Sequence, residues 1–580
     1  MNIDRRSFLI GSLCAPLVTR IAPVSGQDRR TSSESGPYFA TGTRAAAATV
    51  HPLASQAARN AFLQGGNAVD AIVAAAMMLT VVDSHNSGIG GGCFLLIRKP
   101  NGDIVAIDGR ETAPQLASRD MFLSEGKPNT ELSQTGALAV AVPGLVSALN
   151  QAHSQMGRLE WKQLVEPAAQ TASGGFSLGA AMANAIRSEA KDLSRFASSA
   201  AVLLNANREP KQAGENLVQP DLAKTLSAIG EHGPDWFYRG PFAEAAVEYL
   251  SQLGGVMSIS DFQAYRSIER QAIRTNYRHW SVYGFPPPSS GGVHIAQMLG
   301  MLARFDLTDM HRETPHLFYH VIAEAMKLAF ADRAHWLGDP DHAKVPSGLL
   351  DSEYVAKLSQ AIKLDQASTV AGHGTPPHAD SAFFENKKHT THLTAIDTDG
   401  TWVAMTATVN TSFGSKLIVP GTGVVLNNQM DDFSIAPGTP NAFGLIGAAN
   451  NAVGPGKRPL SSMSPTIVVD AANQPVLTCG AAGGPKIINA TLLNVINVLD
   501  LGMTIDQSIA SPRIHHQWRP DKLQYESKLD ASIVEELSRL GHSVEESKTL
   551  AIAQGAQRLK DDQLRAASDP RTASQSVAVG

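Results

Sequence analysis

The stretch Lys388-His389-Thr390-Thr391-His392-Leu393-Thr394-Ala395-Ile396 decides how this chain is read. A threonine pair stands at the mouth of a segment whose apolar and β-branched residues mark a buried strand. The polar, charged run before it reads as a loop. A hydroxyl is a weak nucleophile without a base beside it. One economical arrangement makes the threonine an N-terminus, so that its own α-amine is the base. That requires a cut between His389 and Thr390. Residues 365–390 carry many Pro, Gly, His and Asp and little periodicity, so they read as an exposed linker in which a cut is tolerated.

Downstream, the period becomes that of strands. His392–Ile396 and Thr401–Val409 flank Thr398-Asp399-Gly400, where Gly400 supplies the positive φ that a hairpin turn needs. A two-residue loop sets Thr390 opposite Val409. A three-residue loop, type I with Gly400 left-handed, sets Thr390 opposite Thr408. The second register is preferred because it gives the candidate nucleophile a hydroxyl partner, with Asn410 just beyond on the same face. Threonine is common in strands, so Thr408 by itself carries no inference.

Working outward, residues 55–82 read as helix broken at Gly65-Gly66, and Ala71–Leu79 is apolar all round, the mark of a buried helix. Gly88-Ile89-Gly90-Gly91-Gly92 precedes the strand Cys93–Ile97. It lacks the Lys-Ser/Thr of a phosphate-binding loop and leads into a strand, so close backbone packing explains it better. Residues 317–337 form a second strong helix, with Ile322, Ala325, Met326, Ala329 and Phe330 on one face. Pro286-Pro287-Pro288-Ser289-Ser290-Gly291-Gly292 is a rigid loop leading into another helix.

The 580 residues are 43% hydrophobic and 17% charged, ordinary for a globular protein, and 6% aromatic. Few aromatics and many Ala and Gly point to tight helix-on-sheet packing. A net charge of −5 without a basic run gives no footing for nucleic acid. Of the cysteines Cys14, Cys93 and Cys479, the last two read as small buried residues. Asp4-Arg5-Arg6-Ser7-Phe8-Leu9-Ile10, an apolar stretch to about Val18 and small residues near Val24-Ser25-Gly26 resemble a twin-arginine export signal over residues 1–26. No later run reaches the ~18 apolar residues of a membrane span, so a periplasmic or secreted protein is expected.

Taken together, Thr390-Thr391-His392, Thr408-Val409-Asn410-Thr411, Leu426 to Phe433, Pro455 to Thr466, Gly483-Gly484 and Ser511 to Trp518 resemble the small subunit of the gamma-glutamyltransferase (gamma-glutamyltranspeptidase) family. Gly66 to Ala71, Asp108 to Pro114 and Pro286 to Gly292 extend the resemblance upstream, so that it spans roughly residue 40 to the C-terminus. It implies an α+β fold, the four-layer α-β-β-α sandwich of N-terminal nucleophile hydrolases. It implies self-cleavage between His389 and Thr390, giving a large subunit of residues 27–389 and a small one of residues 390–580, 191 residues (580 − 390 + 1).

The same resemblance assigns the site. The expected donor is glutathione or a related γ-glutamyl compound, and the acceptor is water, an amino acid or a dipeptide. Thr390 forms a γ-glutamyl ester in a ping-pong cycle. Thr408 orients its hydroxyl, and backbone N–H groups at Gly483 and Gly484 hold the oxyanion. Arg110, with Ser461 and Ser462, takes the α-carboxylate. Asn410, Gln429 and Asp432 take the α-ammonium, so that Arg110 and Asp432 hold opposite ends of one zwitterion. No cofactor is expected. His389, His392, His515 and His516 offer no spacing with carboxylates that suggests a metal. Many bacterial members carry a Tyr in the loop after Asp-Asp-Phe; here Phe443 stands at that point and cannot make the Tyr hydroxyl's bond to Asn410. The nearest alternative is a glutaryl or cephalosporin-type acylase, whose substrates lack the α-amine and would leave the three acceptors unused. A non-catalytic periplasmic binder of glutamyl peptides, or a structural export-pathway protein, leaves the setting of Thr390 unexplained.

Overall fold

A computed structural model describes residues 38–377, 389–435, 442, 444–445 and 449–580, so the expected signal segment and Phe443 lie outside the described residues. The central hairpin has the longer of the two loops. Strands His389–Asp397 and Trp402–Asn410 pair antiparallel, with Ile396 opposite Trp402 and Thr391 opposite Ala407. Asp397 N–H donates to Thr401 O at 3.1 Å across Thr398-Asp399-Gly400, and Gly400 sits at φ 91°. Carried back one step, this register would set Thr390 opposite Thr408, but Thr390 has no partner in the ladder and stands against both Thr408 and Val409. The ladder then slips, so that His389 faces Asn410. Such a bulge bends the strand end and re-aims its side chains.

This hairpin is the middle of a seven-stranded sheet, whose order is Gln575–Val579, Ala45–Thr49, His389–Asp397, Trp402–Asn410, Gly92–Arg98, Ile104–Gly109 and Ile268–Arg270. A second seven-stranded sheet runs Phe39–Gly42, Leu564–Ser568, Ile552–Arg558, Pro475–Ala482, Thr466–Val469, Trp280–Gly284 and Ile273–Tyr277. Side chains alternate between faces of a strand, and the core divides accordingly. Phe94, Leu96 and Ala404 of the first sheet meet Ile467 and Val469 of the second. Their neighbours Leu95, Ile97, Val403 and Met405 face the opposite way, toward helices Pro52–Leu63, Ala68–Val82, Leu145–Met156 and Trp161–Gly174. Val468 and Leu477 face helices Gly291–Leu302, Pro315–Trp336 and Lys486–Leu499. The result is helix, sheet, sheet, helix, with both faces of each sheet buried, which is why these strands are apolar on successive residues.

Both sheets mix strands from before and after residue 390. The helical reading of residues 55–82 resolves into two helices, and Asn67 starts the second: its Oδ1 accepts from Val69 N at 2.9 Å, while Asp70 Oδ2 takes the Asn67 N–H at 2.9 Å. Every residue of Ala68–Val82 is buried. Cys93 and Cys479 are free and buried, and burial pushes both thiols up, Cys479 to about 12.

Candidate active site

Thr390 is 4% exposed, and its Oγ1 is a buried atom with no hydrogen-bond partner among the described residues. Buried hydroxyls are nearly always bonded, because an unmet one costs about 1 to 3 kcal/mol. An unmet hydroxyl at the strand mouth is therefore a feature that needs a reason. Its neighbour shows the ordinary case: Thr391 Oγ1 donates to Asp83 Oδ2 at 2.6 Å. The hydrogen bond expected between Thr408 and Thr390 is not made. The hairpin has the expected three-residue loop, but the ladder slips at Thr390, and Thr408 Oγ1 accepts the Asn410 N–H at 2.8 Å.

Asn410 joins this strand end to the next motif. It adopts φ 81°, a left-handed conformation that asparagine tolerates, and its Nδ2 donates to Asn428 O at 3.0 Å. Its Oδ1 is buried without a partner. Asn427 Nδ2 reaches Gly90 O and Ala141 O, both at 2.8 Å, which fastens the segment to the glycine-rich loop. There a Cβ on Gly90 would come within 2.0 Å of Val425 O, so the glycines serve close backbone approach as read from the sequence.

A short turn, Gln429–Asp432, then carries the acidic pair inward. Arg110 lies fully buried against it. Its Nε donates to Pro459 O at 2.9 Å, one terminal nitrogen donates to Leu460 O at 3.2 Å and to Asp432 Oδ2, and the other lies 3.4 Å from Glu111 Oε2. Gln429 Nε2 also donates to Asp432 Oδ2. Arg110 and Asp432, expected to take opposite ends of one zwitterion, are bonded directly to each other in this structure. Both side chains are fully buried, and each takes the nearest opposite charge. The adjacent Asp431 is used differently. It accepts from Ser133 Oγ at 2.6 Å and from Ala442 N–H at 3.2 Å, and burial pushes its carboxyl up to about 7.

Ser461 and Ser462 sit beside this cluster, held by the rigid loop read at residues 286–292. Ser461 N–H donates to Pro288 O at 2.7 Å, and Ser290 donates to Ser461 O from both its N–H and its Oγ. Ser462 Oγ accepts from Arg333 at 3.0 Å. Arg333, at the end of the Pro315–Trp336 helix, was not singled out from the sequence. Asp-Arg in the last turn of an apolar helix is the one local signal, and it does not distinguish a buried arginine from a surface one.

Gly483 and Gly484 follow the Pro475–Ala482 strand at φ 136° and 67°, just before the Lys486–Leu499 helix. Gly483 and Thr390 line one cavity of about 1200 Å³, together with Asp83, Lys486, His515 and Gln517. Arg110, Gln429, Asp432, Ser461 and Ser462 do not line it; all five are buried. Burial lowers His392 and His515 to about 3, and Asn489 Nδ2 donates to His515 Nδ1 at 2.7 Å. Among the described residues the one cluster with metal-like spacing is His320, Glu324 and His542. Lys327 Nζ already stands 2.8 Å from Glu324 Oε1, so that cluster carries its own cation.

A buried threonine at a strand mouth, lining one cavity with Gly483 on a helix-sheet-sheet-helix frame, agrees with comparison to known proteins. A family model described as gamma-glutamyltranspeptidase matches residues 54–579. The chain belongs to the gamma-glutamyltranspeptidase family. It is 39% identical over 527 residues to the glutathione hydrolase proenzyme of Escherichia coli (strain K12), covering 90% of each chain. It is 40% identical over 481 residues to glutathione hydrolase 2 of Arabidopsis thaliana, covering 81% of this chain and 79% of that one. Among solved structures, cephalosporin acylase from Bacillus halodurans superposes with a TM-score of 0.83 at 26% identity, covering 96% of this chain and 99% of that one. Helicobacter pylori gamma-glutamyltranspeptidase gives 0.54 at 34% identity, covering 55% of this chain and 91% of that one. The fold is that of the N-terminal nucleophile hydrolases, and the chain is an enzyme of that group.

Proposed function

We propose that this chain is a self-processing gamma-glutamyltransferase and glutathione hydrolase. The observation that carries the reading is the buried hydroxyl of Thr390, unmet among the described residues, on a residue that lines one cavity with Gly483, in a chain of the gamma-glutamyltranspeptidase family. The hydroxyl attacks the carbonyl of His389, shifting that acyl group from nitrogen to oxygen, and water cleaves the resulting ester. The new α-amine of Thr390 then serves as base. The large subunit spans residues 27–389 and the small one residues 390–580. The two stay together because each sheet draws strands from both sides of the cut.

In the second use of Thr390, its hydroxyl attacks the γ-carbonyl of glutathione. The amide C–N bond breaks, the leaving amine takes the proton, and an ester remains. Gly483 and Gly484 offer N–H groups to the oxyanion. The substrate's α-carboxylate exchanges into the grip of Arg110, Ser461 and Ser462. Its α-ammonium exchanges into that of Asp432, Gln429 and Asn410, so one zwitterion replaces the direct Arg110–Asp432 pair. The unmet Asn410 Oδ1 and Gln429 Oε1 support this role, since both are acceptors awaiting donors. Water completes hydrolysis, and an amino acid or dipeptide completes transfer. Residues 1–26 direct export by the twin-arginine route to the periplasm or beyond. Among the described residues no helix is long and apolar enough to cross a membrane.

The test is a denaturing gel of the purified protein beside Thr390→Ala. Two fragments for the wild type and one full-length band for the variant are expected; a single band for both refutes self-processing. The likeness to a cephalosporin acylase over nearly the whole chain supports a second reading as an acylase. A γ-glutamyl anilide should turn over and a glutaryl anilide should not; the reverse preference selects the acylase.

A further inference from the structure

Arg333 is a buried cation whose charge nothing in direct contact answers. It is 1% exposed. Three other buried arginines have a carboxylate: Arg110 has Asp432, Arg458 has Asp108 and Arg513 has Asp569. Arg98 has none among the described residues, but its terminal nitrogens donate to three backbone carbonyls, those of Lys99, Gly400 and Asn473. Among the described residues Arg333 forms no ion pair. Its Nε donates to Ser290 Oγ at 2.9 Å and one terminal nitrogen to Ser462 Oγ at 3.0 Å, and its Nη1 is buried without an acceptor. Burial lowers it to about 10, and the opposing pull comes from Asp432. Burying an unpaired guanidinium is costly. Holding two serines would not require it, since a neutral side chain can donate as well.

We infer that Arg333 is a positioning residue for the substrate's α-carboxylate, acting through Ser462 and, by way of Ser290, through the backbone of Ser461. This rests on the γ-glutamyl reading above and names a residue that reading left out. Because Ser462 Oγ accepts from a guanidinium, its own O–H is polarised and left to be donated elsewhere, and a carboxylate is the strongest acceptor for it. The same guanidinium bonds Ser290 Oγ, and Ser290 bonds Ser461 O at 2.8 Å. One buried charge therefore fixes both serines. It also supplies a positive field beside Arg110, whose own charge Asp432 neutralises by contact. An arriving carboxylate is the anion this corner lacks. The pocket then selects donors with a free α-carboxylate over the corresponding α-carboxamides.

The experiment compares wild type, Arg333→Met, Arg333→Lys and Ser462→Ala on two anilide donors, one with a free α-carboxylate and one with an α-carboxamide. For Arg333→Met, KM for the carboxylate donor is expected to rise about 10- to 100-fold, the size of one charge-assisted hydrogen bond, with a much smaller change in kcat. The preference for carboxylate over carboxamide should fall by the same factor. Arg333→Met added to Ser462→Ala should cost little more, because the two act as one unit. Arg333→Lys should keep most of the preference at neutral pH and lose it at alkaline pH, where a buried ammonium gives up its proton. That profile decides the matter if Arg333→Met does not fold. An equal loss on both donors, full additivity with Ser462→Ala, or a pH-independent Arg333→Lys overturns the role of Arg333 alone. A wild-type protein inert toward both donors overturns the γ-glutamyl reading as well.

Discussion

Replacing Asp432 with Asn tests the buried pair at the centre of the site. Asp432 and Arg110 have fully buried side chains in direct contact, so Asp432→Asn leaves a guanidinium without its main counter-charge. Removing one member of a buried pair costs about 3 to 5 kcal/mol. The structure sets where in that range each variant falls. After Asp432→Asn, Arg110 keeps Glu111 Oε2 at 3.4 Å and two backbone carbonyls, which points to about 3 kcal/mol. Arg110→Met strands more groups: Asp432 loses its cation, and Pro459 O and Leu460 O lose their donors, which points to about 5 kcal/mol. The double variant removes both charges and should cost well under the sum of about 8 kcal/mol, with a coupling of about 3 kcal/mol. The assay is guanidinium unfolding followed by circular dichroism, in the Thr390→Ala background so that the chain stays in one piece. Additivity within about 0.5 kcal/mol would refute the direct pair.

Two further outcomes follow from the geometry. Gly483→Ala forces a Cβ to 3.0 Å from Ala551 Cα at a φ of 136° that alanine avoids, so the N–H it aims should shift. A fall in kcat of about 100-fold is expected, and an unchanged kcat removes Gly483 from the oxyanion role. Asp431 titrates high in the folded chain, at about 7 against an ordinary 3.8, chiefly through burial. Folding therefore favours its protonated form: that stability is complete below about pH 4 and is lost as pH rises through about 7. Asp431→Asn should flatten the fall of melting temperature between about pH 5 and pH 8; an undiminished slope assigns the effect to other groups.

Much of the site was legible because it is written in short local patterns. The hairpin register from Thr391 to Ile396 follows from counting residues across Thr398-Asp399-Gly400, without any tertiary information; the slip at Thr390 does not. The helix break at Gly65-Gly66 is likewise a local event. Side-chain partners were less accessible, since they depend on which segments meet. Arg110 and Asp432 are 322 residues apart, and their direct bond follows from two loops converging in a dry interior. Arg333 meets Ser462 across 129 residues, and no spacing in the chain announces it.

The sequence by itself determined the strand with Thr390 at its mouth, the glycines where backbones meet closely and the identities of the polar groups. These depend on periodicity, turn chemistry and residue type, which act over a few neighbours. Tertiary structure alone decided that the Thr390 hydroxyl has no partner among the described residues, that Thr408 Oγ1 accepts from Asn410 N–H, and that Arg110 pairs with Asp432 while Arg333 forms no ion pair among the described residues. A hydroxyl or a charge finds its partner by burial and direction in space, and those exist only once both sheets have closed on each other.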